Sequence, residues 1–416
     1  MKKILLLCVI VLSVIGVVYA QSISDASLSL KECYTLALKR SEVVGIYKEY
    51  IKETEGVMLQ ALSTALPKVA FAYSDKWQDV HGNNSIGNGT PEAKFTFTQP
   101  LFTGFKEFAA IGASKHVGKQ READLARARQ LLFTDVSDAF YLYLSYQQSE
   151  ETLGAIHEAL LNRVAELKKR VDIGKSRVSE SVTAEARLSI NEAAIESVRA
   201  EKEVAGQLIE FLIGQPVKSL LAEDLPPEAR SLDSLSGKLD ARPDVVSARE
   251  AVESYKSNIV SARSSFFPTV ALTGNAYTKR GDTNEGNDWD ATVSVNVPLF
   301  NGLSDVGQVA QARAQKNEAD LRLSQIKRTA LLEIKNNYTK WQSAGRRVTA
   351  LNKADQASEK NYKYQVEDFK SSLVNNLDVL QALEDWQNVR LNLVAARADF
   401  YRNYWAMKVA VGETGL

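Results

Sequence analysis

Gln99-Pro100-Leu101-Phe102-Thr103-Gly104 and Val297-Pro298-Leu299-Phe300-Asn301-Gly302 are two versions of one phrase, and each stands between an alternating run and a long helical pattern. Each therefore marks a passage from strand to helix, with Pro100, Gly104, Pro298 and Gly302 as the punctuating residues. Outward from them the likeness continues. Ala65-Leu66-Pro67-Lys68-Val69-Ala70 returns as Phe266-Phe267-Pro268-Thr269-Val270-Ala271, and Glu122-Ala123-Asp124-Leu125 returns as Glu318-Ala319-Asp320-Leu321 after a small shift. The halves close alike, at Ile213-Gly214 and Val411-Gly412. The chain reads as one unit used twice, over residues 21–214 and 241–416, joined by a Pro-, Ser- and Asp-containing connector at 215–240.

Each half has the order helix, hairpin, very long helix, helix. The first helix is expected from Leu30 to Leu66, with Ser29 and Glu32 spaced as a capping box and Pro67 as its stop. Its counterpart runs from Arg242 to Phe267 and ends at Pro268. In the hairpins, 68–102 and 269–300, Phe71 and Tyr73, Phe95 and Phe97, and Val293, Val295 and Val297 alternate with small or polar residues. One face is apolar, and each run has about the 9–11 residues that carry a tilted strand across a bilayer. The polar segments from His81 to Pro91 and from Gly281 to Asp288 read as external loops. A hairpin of a soluble sandwich shows the same alternation. What separates the two readings is the helix that follows, from Thr103 to Asp172, which at 1.5 Å per residue spans roughly 100 Å. Leu125, Ala128, Leu132, Val136 and Ala139 form its packing seam, as do Leu323, Ile326, Ala330, Ile334, Tyr338 and Trp341 in the second half.

The first 20 residues have the charged start, apolar run and small-residue end of a secretory signal peptide, cleaved after Ala20 and taking Cys8 with it. Cys33 then remains alone and cannot form an internal disulfide. Without Lys2 and Lys3, the 51 basic residues become two fewer than the 51 acidic ones, with both signs interspersed, which points to no nucleic-acid partner. After residue 20 no apolar run is long enough for a membrane-spanning helix, so insertion must use strands.

Four strands cannot close a barrel, and lipid tolerates no open edge. Two copies would supply eight strands around a filled interior; three supply twelve around an aqueous lumen, the arrangement expected here. The fold class is thus α+β, dominated by long antiparallel helices that three chains are expected to pack side by side into a hollow α-barrel beneath a 12-stranded β-barrel. Small residues such as Ala109, Ala110 and Ala113 suit the side-by-side helix contacts.

Over essentially the whole mature chain this layout resembles the TolC-like outer-membrane efflux protein family. Leu28-Ser29-Leu30-Lys31-Glu32 followed by Ala37-Leu38 resembles its start, and the two Pro-Leu-Phe phrases resemble its strand exits. The resemblance implies a homotrimeric exit duct that passively conducts substrates delivered by an inner-membrane pump and a periplasmic adaptor protein, held in outer-membrane lipid. It also implies a periplasmic gate. Asp378-Val379-Leu380 stands where the family has an acidic ring, Gln381 stands where a second aspartate would double it, and Glu180 and Phe369 stand near the links between neighbouring coils. Three copies of one carboxylate facing a narrow lumen repel one another and attract cations. Asp378 can equally serve as a helix cap, since Asn375, Asn376 and Asp378 lie where the last helix begins.

Nothing in the chain points to catalysis or a cofactor. His81, His116 and His157 lack partner patterns, and the two on helices read as solvated positions rather than metal ligands. Glu150, Glu151, Glu158 and Glu166 mixed with Lys168, Lys169 and Arg170 read as a solvated helix face. Met58 and Met407, with no histidine at the expected tip, give no soft-metal relay. The rival to a channel is a secreted coiled-coil structural or adhesin protein, which would keep the seams but need no hairpins with a lipid-compatible face.

Overall fold

A computed structural model describes residues 27–77, 90–217, 219–221, 231–280 and 288–414; the expected signal peptide, His81 and most of both expected loops lie outside these. The order is α1 (Leu30–Arg40), α2 (Glu42–Ser63), β1 (Lys68–Lys76), β2 (Thr90–Phe102), α3 (Lys106–Asp172), α4 (Val178–Ile213), α5 (Leu232–Ser236), α6 (Pro243–Arg263), β3 (Thr269–Arg280), β4 (Trp289–Asn296), α7 (Ser304–Lys370) and α8 (Asn376–Ala410).

Helix α1 begins with the Ser29–Glu32 capping box, in which the Ser29 side chain accepts from Glu32 N and the Glu32 carboxylate accepts from Ser29 N. The single helix expected to reach Leu66 is broken at Ser41. That residue leaves helical geometry at ψ 114° and ends α1, and its hydroxyl then accepts from Val44 N to start α2. One serine caps both ends, which offsets the cost of the break.

Helices α3 and α7 are 67 residues each, about 100 Å long at 1.5 Å per residue. Each folds back on its successor, α3 on α4 through a turn with Gly174 at φ +72° and α7 on α8 through a turn with Ser372 at φ +60°. Helix α3 also packs along α6 and α8, which joins the two halves. The core sits where α1, α3, α4, α7 and α8 meet: Leu30, Cys33, Phe133, Phe140, Ile334, Trp405 and Met407 are buried there in one cluster. Burial pushes the Cys33 thiol up to about 12, so it stays protonated and packs as a small apolar group. Beside the cluster, the buried Arg242 guanidinium donates to Asp244, to Glu333 and to the Ala410 carbonyl at 2.6–2.9 Å. It thereby ties the start of α6 to α7 and to the end of α8.

Strands β1 to β4 form one antiparallel sheet in sequence order. Both hairpins share a register. Lys68 pairs with Thr98, Val69 with Phe97 and Phe71 with Phe95; correspondingly Thr269 pairs with Asn296, Val270 with Val295 and Leu272 with Val293. The second hairpin falls short of its expected end at residue 300: β4 stops at Asn296, leaving Val297 one residue outside the strand. Among the described residues β4 pairs only with β3, and β3 begins opposite Asn296, so nothing remains for the backbone beyond it to bond.

Candidate channel-forming surfaces

Register decides which side chains share a face, because successive residues of a strand point to opposite sides. Phe71, Phe95, Ala276 and Trp289 lie in one row across the four strands, and Val69, Phe97, Gly274 and Ala291 lie in the next. With Tyr73, Val293 and Val295 they make an apolar face without a core behind it: Phe71 is 59 % exposed and Val293 and Val295 are each 62 % exposed. Phe71 and Phe95 touch at a ring distance of 5.1 Å, as cross-strand aromatic pairs do.

The opposite face is polar and internally bonded. Thr96 donates to Asn275 at 2.9 Å, and Asp290 accepts from the Asn275 amide at 2.8 Å and from the Tyr277 hydroxyl at 2.7 Å. One face suits hydrocarbon and the other water, in the division a barrel wall needs.

At both strand exits the backbone turns through two consecutive left-handed residues, Gly104 and Phe105 after β2, Gly302 and Leu303 before α7. Helix α3 therefore starts at Lys106, three residues later than Thr103. A Cβ on Gly104 would meet the Ser264 carbonyl at 2.7 Å, so glycine is required there for space as well as for φ; Gly302 has open space and is required for φ alone. Thr103 bonds to Glu107, and Asn301 donates to Asp305, a matching pair of contacts one turn into each helix. Phe105 and Leu303 carry no sequence signal of this conformation, which disfavours side chains with a Cβ.

The far ends of the long helices hold the expected gate residues. Asp378 forms a capping box with Asn375: Asp378 N donates to the Asn375 side chain and Asn375 N donates to the Asp378 carboxylate, each at 3.1 Å. Gln381, one turn on, donates to Asp385 at 3.0 Å. Glu180 lies in the first turn of α4 and accepts from Ser176 within its own turn. Phe369 is buried in a cluster with Leu160, Leu167, Val379 and Leu380, where Val374 also packs. The Phe369 ring lies between two guanidinium groups, Arg163 at 4.6 Å and Arg170 at 4.4 Å, each close enough for cation–π attraction. Burial presses the Arg163 pKa below the ordinary guanidinium value, and Glu166 opposes that shift across a 3.1 Å bond. Arg187 adds an ion pair to Glu384 at 2.8 Å, so the two helical hairpins of one chain are tied near their tips.

Three sequence expectations change here. Arg170 and Glu166 do not sit on a plain solvated face: they are half-buried and engaged with Arg163 and Phe369. Glu150 is likewise held by Lys202 and Arg199, whose hydrogen bonds lower its carboxyl pKa. His116 is not free in solvent but lies 2.7 Å from Glu250, because α3 runs along α6 and brings the two together. Arg163 escaped the sequence reading altogether, since its partner Phe369 lies some 200 residues away (163 to 369) and local spacing carries no such signal.

Among the described residues no helix is long and apolar enough to cross a membrane, and no group of three His, Cys, Asp or Glu could hold a metal.

Set against known proteins, residues 50–215 and 235–413 match the family described as outer membrane efflux protein. The chain is 25 % identical over 379 residues to the outer membrane efflux protein BepC of Brucella suis, covering 86 % of this chain and 81 % of that one. Its fold is similar to the crystal structure of the outer membrane protein VceC of Vibrio cholerae, with a TM-score of 0.80 at 22 % identity over 92 % of this chain and 96 % of the other. It is similar also to the CmeC outer membrane channel of Campylobacter jejuni, with a TM-score of 0.79 at 17 % identity, covering 95 % and 90 %.

Proposed function

The chain belongs to the outer membrane efflux protein family, and from that premise we propose that three copies close a 12-stranded barrel in outer-membrane lipid above a periplasmic α-barrel. Membership itself makes the protein a TolC-like outer-membrane transport duct extending into the periplasm, not an enzyme. The observation that carries the trimeric reading is the sheet. It has an exposed apolar face, a polar face and two edges without partners among the described residues, a combination that neither water nor lipid tolerates in a lone chain.

The duct is passive. It takes substrate from a periplasmic adaptor and an inner-membrane pump that dock at the helical tips, and these supply the energy. Residues 21–214 and 241–416 act as duplicated halves about the 215–240 connector, a reading supported by the shared hairpin register and by the paired left-handed exits. Asp378 lines the lumen at the tip as a single acidic ring, with Gln381 in place of a second, and Phe369 and Glu180 brace the surrounding coils.

The test is a detergent-purified protein, its oligomer mass, and single-channel currents for wild type, Asp378→Ala and Asn375→Ala. Trimers with small cation-selective currents that Asp378→Ala alters and Asn375→Ala leaves alone support both duct and ring. Equal effects of the two substitutions reduce Asp378 to a cap. A soluble, currentless species favours the secreted coiled-coil structural or adhesin protein.

A further inference from the structure

The two Pro-Leu-Phe phrases, alike in sequence, differ in surroundings. After Thr98 the β2 strand continues through Gln99, Pro100 and Phe102, which pair with Leu272, Ala271 and Val270 of β3, while Leu101 is skipped at an irregularity. Among the described residues the equivalent Val297 to Phe300 follow β4 and pair with nothing; Leu299 is 93 % exposed and Phe300 81 %, whereas Phe102 is half-buried. What the second phrase lacks is a strand on its free side.

The internal correspondence identifies that strand and its alignment. Position 298 answers to 100, an offset of 198, and position 268 answers to 67, an offset of 201. These offsets carry every pair of the first hairpin from Lys68↔Thr98 to Asp75↔Pro91 onto a pair observed in the second, from Thr269↔Asn296 to Ala276↔Trp289. Applied to the junction between β2 and β3, they turn β2 into β4 and β3 into β1. We propose that β4 pairs antiparallel with β1 of a second copy in this transferred register, with Ser294 opposite Ser74 of the partner subunit, Val295 opposite Tyr73 of the partner subunit and Val297 opposite Phe71 of the partner subunit. The strand then extends through Phe300, which faces Val69 of the partner subunit, and Leu299 takes the skipped position that Leu101 occupies in β2.

The proposal rests on the barrel reading above and goes further by fixing which residues meet. Faces agree: Val295, Tyr73, Val297 and Phe71 fall on the apolar side, and Ser294 and Ser74 on the polar side. A slip of one residue would turn Tyr73 and Phe71 into the lumen. Slips of two keep the faces but abandon the alignment seen between β2 and β3.

The test is oxidative cross-linking of Ser294→Cys/Ser74→Cys in detergent, with Cys33→Ala as background, beside the mass of the untreated particle. Directly opposed residues lie about 4.5–5.5 Å apart at Cα, within disulfide range, and a two-residue slip carries them out of it. Reducible covalent dimers and closed trimers are expected from this pair, none from either single cysteine, and far less from Ser294→Cys/Ala72→Cys. Val295→Cys/Tyr73→Cys repeats the test on the other face should the serine variant fold poorly. A trimer in which the shifted pair cross-links better, or in which neither in-register pair cross-links, overturns the register while leaving the trimeric duct intact. A particle of one chain's mass overturns the duct reading and the register with it.

Discussion

Phe133 and Phe95 carry one side chain into opposite surroundings. Phe133 is sealed between Tyr34 and Trp405, with ring centroids 5.1 Å away on each side, and has no exposed surface. Phe95 is 49 % exposed on the apolar face of the sheet, though it too has an aromatic neighbour. The helical body closes this one core within the chain, bringing α1, α3, α4, α7 and α8 together, while Ile190, Phe211 and Leu321 elsewhere on its helices stay exposed. The sheet completes nothing alone: its apolar face requires lipid and its edges require other strands. A protein built this way divides its stability between an interior it carries and an environment it must find.

Phe133→Ala gives the largest effect. It should cost the helical body about 3–5 kcal/mol, read from denaturant unfolding followed by helical circular dichroism; a loss below about 1 kcal/mol would mean that the core relaxes around the gap and is no more committed than the sheet. Val293→Arg should act on the other side of the contrast. It should weaken insertion into lipid vesicles by about 2–4 kcal/mol, with helix melting in detergent unchanged, and a fall in helix melting would show that sheet and body are not separable.

The smallest effect concerns pH. Burial works against ionisation of Asp244, but hydrogen bonds and charge from Arg242, with help from Arg127, outweigh it and hold the carboxyl below its ordinary range. A depressed folded-state pKa contributes stability that is present above the unfolded value of about 4 and is lost as pH falls through the lower folded value. The melting-temperature gap between wild type and Asp244→Asn should therefore be constant above that pH and narrow below it. A gap that widens on acidification would reverse the sign and remove the Arg242 node as its cause.

Much of the architecture was legible because its signals are local. Alternation at Phe71, Tyr73, Phe95 and Phe97 marks strands with one apolar side, Ser29 and Glu32 mark a helix start, and Pro67 and Pro268 mark stops. Ser41 was not legible, because a serine inside an apolar-periodic stretch is compatible with an unbroken helix until its hydroxyl is seen to accept from Val44. Phe105 and Leu303 were hidden for a related reason: the glycine before each announces a turn, but no local pattern announces that the residue after it is left-handed as well. At the tip, the Asn375–Asp378 spacing announced a cap, whereas the seat of Phe369 between Arg163 and Arg170 depends on two hairpins meeting in space.

The sequence by itself determined the order of elements, the apolar side of each strand, the duplicated phrases and the family, since periodicity, prolines and glycines act over a few residues and are written where they act. Only the tertiary structure decided the shared hairpin register, the Arg242 node between α6, α7 and α8, and which of two identical Pro-Leu-Phe phrases is paired and which is bare. Those depend on what lies across a gap from each residue, and the separation that brings partners together is a property of the folded chain that no local pattern encodes.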